Sequence, residues 1–400
     1  MKTETRIPFY LAWKYLQRGN KWTLLLTVFL MAIAFVNLIF ISSLFSGIID
    51  GTNKQIVNTM TGNVYITPKD GDDNISDQEN VIDTIENTEG VEAASPEIFV
   101  PASLKSNNYK GNWTVLSVDP DKEKNVTNVS QNMTSGEYLE TDDADSIIIG
   151  RQIAGGEGVE QDAFSFKGAK VGDKVTLSLG GLEKDLVVKG IFNTKFLDTD
   201  SRAFITNTTL SEFIPTFGNS PNTIIVKTTS DAKESDVIER LKTNGVDENI
   251  YTWEEVAGLM SSVTESFLSI NILMSFVGVL IAAVTIFIII YVDIINKKRE
   301  IGILRAIGIK PYIIFTSYII KAGAYSVGGV ILGSAIFFGL LVPYFNLHPF
   351  VLPICDSVLV LTKTDFIARA ETIMWVAVLS ALIPAVAVTR SKILTAIFGK

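Results

Sequence analysis

The chain has 400 residues, enough for two or three structural units. It is 47% hydrophobic, yet it carries 43 Asp and Glu against 34 Lys and Arg. These are segregated: residues 50–262 hold 36 of the acids and 18 of the bases, and the remainder holds 7 acids and 16 bases. The net charge of −9 averages two regions of opposite sign, and it gives no nucleic-acid footprint. A single cysteine, Cys355, excludes an intramolecular disulfide, and with one histidine, His348, no Cys/His metal cluster can form. A thiol–imidazole nucleophile pair would have both residues in one short loop with no third group to orient them.

In chain order, residues 1–21 read as an amphipathic N-terminal helix, with Phe9, Trp13 and Leu16 on one face and Lys14, Gln17, Arg18 and Lys21 elsewhere. Residues 22–49 contain no charge, and a bilayer core of about 30 Å needs roughly 20 helical residues. The run is too long for the apolar part of a signal peptide and no A-x-A-like site follows, so it reads as an uncleaved span. Three further spans are expected at 267–295, 311–346 and 372–389. The segments 1–21, 296–310 and 390–400 are basic, which makes them cytoplasmic by the positive-inside bias. Residues 50–262 and the 347–371 loop then face outward, and the protein is expected in the cell membrane as a multi-pass chain.

Within 50–262, residues 62–68, 112–119, 173–179 and 184–192 alternate as strands, punctuated by Gly172-Asp173 and Gly180-Gly181. Residues 77–90 and 235–245 carry helical spacing and end in glycine. The expected fold is therefore a four-span helical membrane part with a large extracytoplasmic α+β domain of two subdomains inserted between helices 1 and 2. Residues 120–143, rich in Asn, Thr, Asp and Glu, read as an exposed loop. Six N-x-S/T sequons, at Asn74, Asn112, Asn125, Asn128, Asn132 and Asn207, lie on this side; an Asn/Thr-rich stretch also makes sequons by chance. No catalytic constellation is evident, so the domain reads as a binding or force-receiving module.

Work by a membrane protein needs an energy source, and no G-x-x-x-x-G-K-[ST] occurs in these residues. The spans also lack a relay of acids. Lys321, ten residues into the third span, is expected to snorkel to the cytoplasmic interface. Gly329 and Gly333 form a G-x-x-x-G with Gly328 beside it, a candidate helix-packing face, although glycines are common in membrane helices. The loop "NKKREIGILRAIGIKP" (296–311) has too many charges and isoleucines for a plain turn. On a helix Ile303, Leu304 and Ile307 form one stripe, while Lys298 and Arg305 point away. Such a helix fits an anionic lipid surface and one half of a protein interface equally well.

"KKREIGILRAIGIKP" resembles the cytoplasmic loop of MacB/FtsX/LolC-type ABC transporter permeases. Residues 11–29, 147–194 and 383–397 resemble the same family's first span, outer domain and C-terminal end, with Ile393 where the family often has Pro. The resemblance implies a dimeric permease, homo- or heterodimeric, bound to two separate cytoplasmic ATPase subunits that hold the ATP; no cofactor is expected on the chain itself, whose other partner is membrane lipid. It also implies that the loop is a coupling helix whose residues are Glu300, Ile301, Gly302, Leu304, Arg305, Ala306 and Gly308. Glu300 and Arg305 would bond the ATPase, Ile301 and Leu304 would fill its groove, and the glycines would allow close approach. Family members transmit ATPase closure to the outer domain by mechanotransmission, exporting or releasing hydrophobic or amphipathic substrates or lipoproteins. FtsX-like members instead regulate an extracellular hydrolase and move no substrate. The chain itself is expected to be no enzyme, and its substrate is not readable from sequence.

Overall fold

The computed structural model describes residues 6–18, 21–159, 162–214, 220–352 and 356–390. Cys355 and the basic tail from residue 391 on lie outside these, with the expectations that rest on them. The chain divides into a membrane unit, residues 1–49, 264–350 and 357–400, and a sheet unit, residues 50–263 and 351–356. The main helices in chain order are α1 (Arg6–Arg18), α2 (Lys21–Ile56), α3 (Gln78–Glu86), α4 (Pro120–Val126) and α5 (Glu234–Thr243). There follow α6 (Gly258–Asn296), α7 (Lys298–Ala306), α8 (Pro311–Ile336) and α9 (Lys363–Arg390).

Among the described residues, four helical segments, beginning at Lys21, Leu268, Pro311 and Lys363, are long and apolar enough to cross a membrane. The helix α2 outruns its uncharged stretch because backbone bonding needs no apolar side chain, and an Asp50–Lys54 pair one turn apart, 2.7 Å long, supports its polar end. Phe35, Leu38 and Ile39 of α2 share one core with Ile286 and Ile290 of α6, Ile314 and Tyr318 of α8 and Ala377 and Ala381 of α9. In α1, Ala12 is buried and Leu16 packs on that core, while Phe9 and Trp13 are exposed. The apolar face read for α1 is thus split between protein and surroundings.

The sheet unit carries strands β1 (Val64–Thr67), β2 (Val91–Ser106), β3 (Tyr109–Val118), β4 (Met133–Gly136), β5 (Ser146–Gly150), β6 (Lys174–Leu179), β7 (Leu182–Phe192), β8 (Arg202–Thr206), β9 (Thr223–Thr228) and β10 (Asn249–Thr252). They form one sheet in the order β10-β1-β9-β2-β3-β8-β5-β7-β4, with β6 bridging β2 and β7. The 16-residue β2 is the spine: residues 91–97 pair with β9, and residues 97–106 pair with β3. Two lobes result. In one, Val64, Ile66, Ile224 and Val226 pack against Ile82 and Ile85 of α3 and Val237 and Leu241 of α5. In the other, Val100, Leu104, Ile147, Val175 and Val188 close a second core. The β6–β7 hairpin turns at Gly180-Gly181, both at positive φ (57° and 85°), which a tight primed turn demands.

Residues 120–143 are not the exposed loop their composition suggests. Asp119 caps α4 by accepting from the Asp121 amide at 3.0 Å, and Pro120 sits in the first turn, where its missing donor costs nothing. Pro120, Glu123, Val126 and Val129 are buried, and β4 pairs with β7. Most other polar residues lie on the outer side, while Glu123 and Thr127 are turned inward, a sidedness that a count of residue types does not register.

Candidate functional site

The membrane unit brings together charges that lie far apart in sequence. Asp293 closes the apolar run of α6, and Lys321 lies 28 residues later in α8; Lys321 Nζ donates to Asp293 Oδ2 at 2.5 Å. Lys321 is 2% exposed, so it does not snorkel. Three phenol rings surround its ammonium at 5.6–6.0 Å, those of Tyr325, Tyr318 and Tyr15, within cation–π range. The pair is the reason the lysine stays inside. An ammonium in apolar surroundings needs a counter-ion and a polarisable shell, and here Asp293 and the three rings supply both.

Lys297 joins the same cluster. Its ammonium lies 3.8 Å from Asp293 Oδ1 and 4.4 Å from the Tyr15 ring, and Tyr15 stacks on Tyr318 at 6.3 Å. Burial, with the nearby carboxylates of Glu300 and Asp293, pushes the Tyr15 phenol up to about 12, so it remains a neutral ring and donor. Lys297 also occupies the N-cap position of α7, without a capping bond from its side chain. The cluster therefore ties α1, α6 and α8 together at the root of the charged loop.

Residues 298–306 of that loop are helical. Ile301 is 1% exposed and joins the membrane unit's core, Gly302 is buried, and Leu304 packs on the same core. Ile303 and Ile307 are the exposed apolar residues, at 48% and 71%. The stripe of Ile303, Leu304 and Ile307 is thereby divided, and Ile301 and Leu304 are turned to the chain's own core instead of outward. Glu300 and Ala306 are exposed and Arg305 is half-buried. Gly308 ends the helix at φ 97°: its amide bonds to the carbonyl of Arg305 and that of Ile309 to Leu304, both at 3.1 Å, a left-handed cap that favours glycine. Pro311 then starts α8.

Gly329 and Gly333 of α8 lie against α2. A Cβ at Gly329 would stand 2.5 Å from the Met31 Cβ, and one at Gly333 would stand 2.9 Å from the Phe35 ring. Gly278 of α6 makes a similar approach to Leu38, 2.9 Å from its Cδ2, a contact the spacing of glycines does not announce. Close backbone approach of this kind replaces the hydrophobic driving force that lipid removes.

The sheet unit has its own buried charge. Glu97 on β2 and Glu123 on α4 are 2% and 0% exposed, and α4 packs on β2. Thr127 and Tyr138 donate from their hydroxyls to Glu123, whereas Glu97 Oε2 has no partner among the described residues. Burial, reinforced by Glu123, pushes the Glu97 carboxyl up to about 8. Arg202, 5.4 Å over the Phe99 ring, bonds to Asp198 at 2.5 Å. Asp200 accepts from the Thr194 amide and hydroxyl, both at 2.8 Å, and from the Lys195 amide; burial outweighs these and raises it to about 6.

Four long apolar helices and an α+β unit inserted between the first and second make this a multi-pass membrane protein. Residues 24–244 match the model of the MacB-like periplasmic core domain, and residues 272–393 match that of the FtsX-like permease C-terminal region. The chain belongs to this MacB/FtsX-type permease family. An uncharacterized ABC transporter permease of Methanocaldococcus jannaschii is 25% identical over 263 residues, 63% of this chain. The match spans 62% of that relative, less than two thirds of its length. The solved periplasmic region of MacB from Actinobacillus actinomycetemcomitans aligns at 13% identity and TM-score 0.36, covering 51% of this chain and 95% of its own. The extracellular domain of the noncanonic ABC-type transporter YknZ from Gram-positive bacteria aligns at 14% identity and TM-score 0.34, covering 47% and 97%.

Proposed function

We propose that this chain is the permease subunit of an ABC transporter, without a nucleotide site of its own. It couples ATP hydrolysis by a separate ATPase subunit to movement of its sheet unit, so as to export or release a hydrophobic or amphipathic substrate or a lipoprotein. It works as a dimer with two ATPase subunits in the cell membrane, its charged loop on the cytoplasmic side and its sheet unit outside. The reading rests on family membership, on the basic segments flanking the spans, and above all on the two-sided build of α7. One side of α7 is anchored: Ile301 and Leu304 enter the core, and Lys297 reaches Asp293. The other side offers Ile303 and Ile307 to a partner, with the exposed Glu300 beside them. A helix seated in an ATPase cleft on one side and keyed into the spans on the other transfers a push without needing a channel.

The test is co-purification of the ATPase subunit, followed by transport assayed in reconstituted vesicles. Ile303→Asp and Arg305→Glu are expected to lose the ATPase while the chain still folds. Leu304→Asp is expected to lose it and to destabilise the membrane unit as well, because its side chain packs inward. Full ATPase binding and transport by the Ile303 and Arg305 variants would sink the assignment. ATPase binding with no transport of any substrate would favour regulation of an extracellular hydrolase.

A further inference from the structure

Beside the Asp293–Lys321 pair, α1, α2, α6 and α8 enclose a cavity of about 380 Å³. Its walls change character along their length. At one end stand Asp293, Lys297, Lys321 and the amide-bearing Asn296. Toward the other, Leu30 of α2 and Ile289 of α6 line it beside the buried Thr27, Ile289 lying one helical turn, about 6 Å, deeper than Asp293. The rim residues Leu26, Ile288 and Val292 are half exposed, so the cavity opens sideways onto the apolar surface of the spans and not only toward water. At the polar end two ammonium groups share one carboxylate, at 2.5 and 3.8 Å, which leaves a surplus positive charge. The adjoining Lys298 and Arg299 outnumber Glu300.

A polar, cationic head joined to a slot of branched aliphatic side chains, open toward the acyl region, matches one kind of molecule. We propose that this cavity holds one anionic phospholipid, its phosphate against Lys297 with Lys321 behind it and one acyl chain between α2 and α6. A basic pocket between spans at the headgroup level attracts such a headgroup by charge, and the slot holds the chain by exclusion from water. Occupied in this way, the site would bridge the cap of α7 and the α2–α6 groove, so the lipid would act as a wedge between the charged loop and the first two spans.

The experiment uses the full chain in a neutral detergent, with bound lipid counted by native mass spectrometry. The probes are phosphatidylglycerol, phosphatidylcholine and free glycerol phosphate. Wild type is expected to retain one phosphatidylglycerol in preference to phosphatidylcholine and to keep it in excess glycerol phosphate. Lys297→Gln is expected to lower that preference about fivefold, the effect of one lysine near an anionic surface. Lys297→Arg keeps the charge and is expected to retain the preference, which separates a charge effect from a folding defect. Val292→Trp fills the slot from its rim and is expected to reduce retention of both lipids. Equal retention of the two lipids by wild type, or an unchanged preference in Lys297→Gln, overturns the proposal. So does displacement by glycerol phosphate alone, which would make the site one for free anions.

Discussion

In the membrane unit the carboxylate of Asp293 lies 2.5 Å from the buried ammonium of Lys321; in the sheet unit Glu97 and Glu123 are buried on packed neighbours with no cation bonded to either among the described residues. The surroundings explain the two solutions. Between spans a lone lysine is costly, and here a carboxylate on the neighbouring helix and three phenol rings surround it. Under α4, with no cation bonded to either carboxyl among the described residues, the cheaper course is to keep a proton on one of them, and Glu97, raised to about 8, takes it. One site answers burial by bringing opposite charges together, whereas the other keeps a proton on a carboxyl.

Breaking the pair is expected to have the largest effect. Asp293→Asn leaves the Lys321 ammonium buried without its carboxylate, which costs about 3–5 kcal/mol, and Lys321→Met costs less because Lys297 still neighbours Asp293. Thermal unfolding in detergent measures it, and the double replacement Asp293→Asn with Lys321→Met is expected to recover much of the loss. Single variants as stable as wild type would mean that the two groups are reached by water and behave like an exposed pair.

A smaller effect is expected from pH in the sheet unit. Glu97 is raised in the folded state, so between about 4.5 and about 8 the folded chain binds more protons than the unfolded one. Its contribution to stability is therefore present at low pH and lost as pH rises through about 8. Asp200, raised to about 6, acts in the same direction over a lower window. Glu97→Gln keeps the neutral shape and is expected to gain about 1–3 kcal/mol at pH 8 and little at pH 5, read from urea unfolding of the full chain. A gain independent of pH would show that Glu97 is not the proton carrier.

Smallest is a packing contrast within α8, where no charge is involved. Gly329→Val meets the Met31 backbone and side chain and is expected to cost about 1–3 kcal/mol, as overpacking does. Gly323, with nothing within 4 Å of a built Cβ, is expected to accept alanine and gain about 0.5–1 kcal/mol, since its backbone is ordinary helix. The same melting experiment reads both. Equal effects would mean that α2 and α8 do not approach closely in the membrane.

The parts of this protein that depend on local pattern are open to a reader of its sequence. Four apolar runs, three of them uncharged, announce four long helices, alternation marks β1, β3, β6 and β7, and the basic pair with Glu-Ile-Gly marks the loop and its family. Composition misleads at 120–143, because sidedness and not residue count decides burial there. The division of α7 into an anchored and an exposed face depends on where the neighbouring helices stand, and its own spacing fits more than one arrangement. Asp293 and Lys321 are each visible as lone charges at or in apolar runs, but their meeting requires the relative rotation and depth of α6 and α8. That register is set by the shapes packed between helices, such as the Gly329 and Gly278 approaches to α2. Periodicity along one strand of chain therefore determined which segments are helix, strand and span. Packing between segments, which no single segment encodes, decided which charges are buried together and what they hold in place.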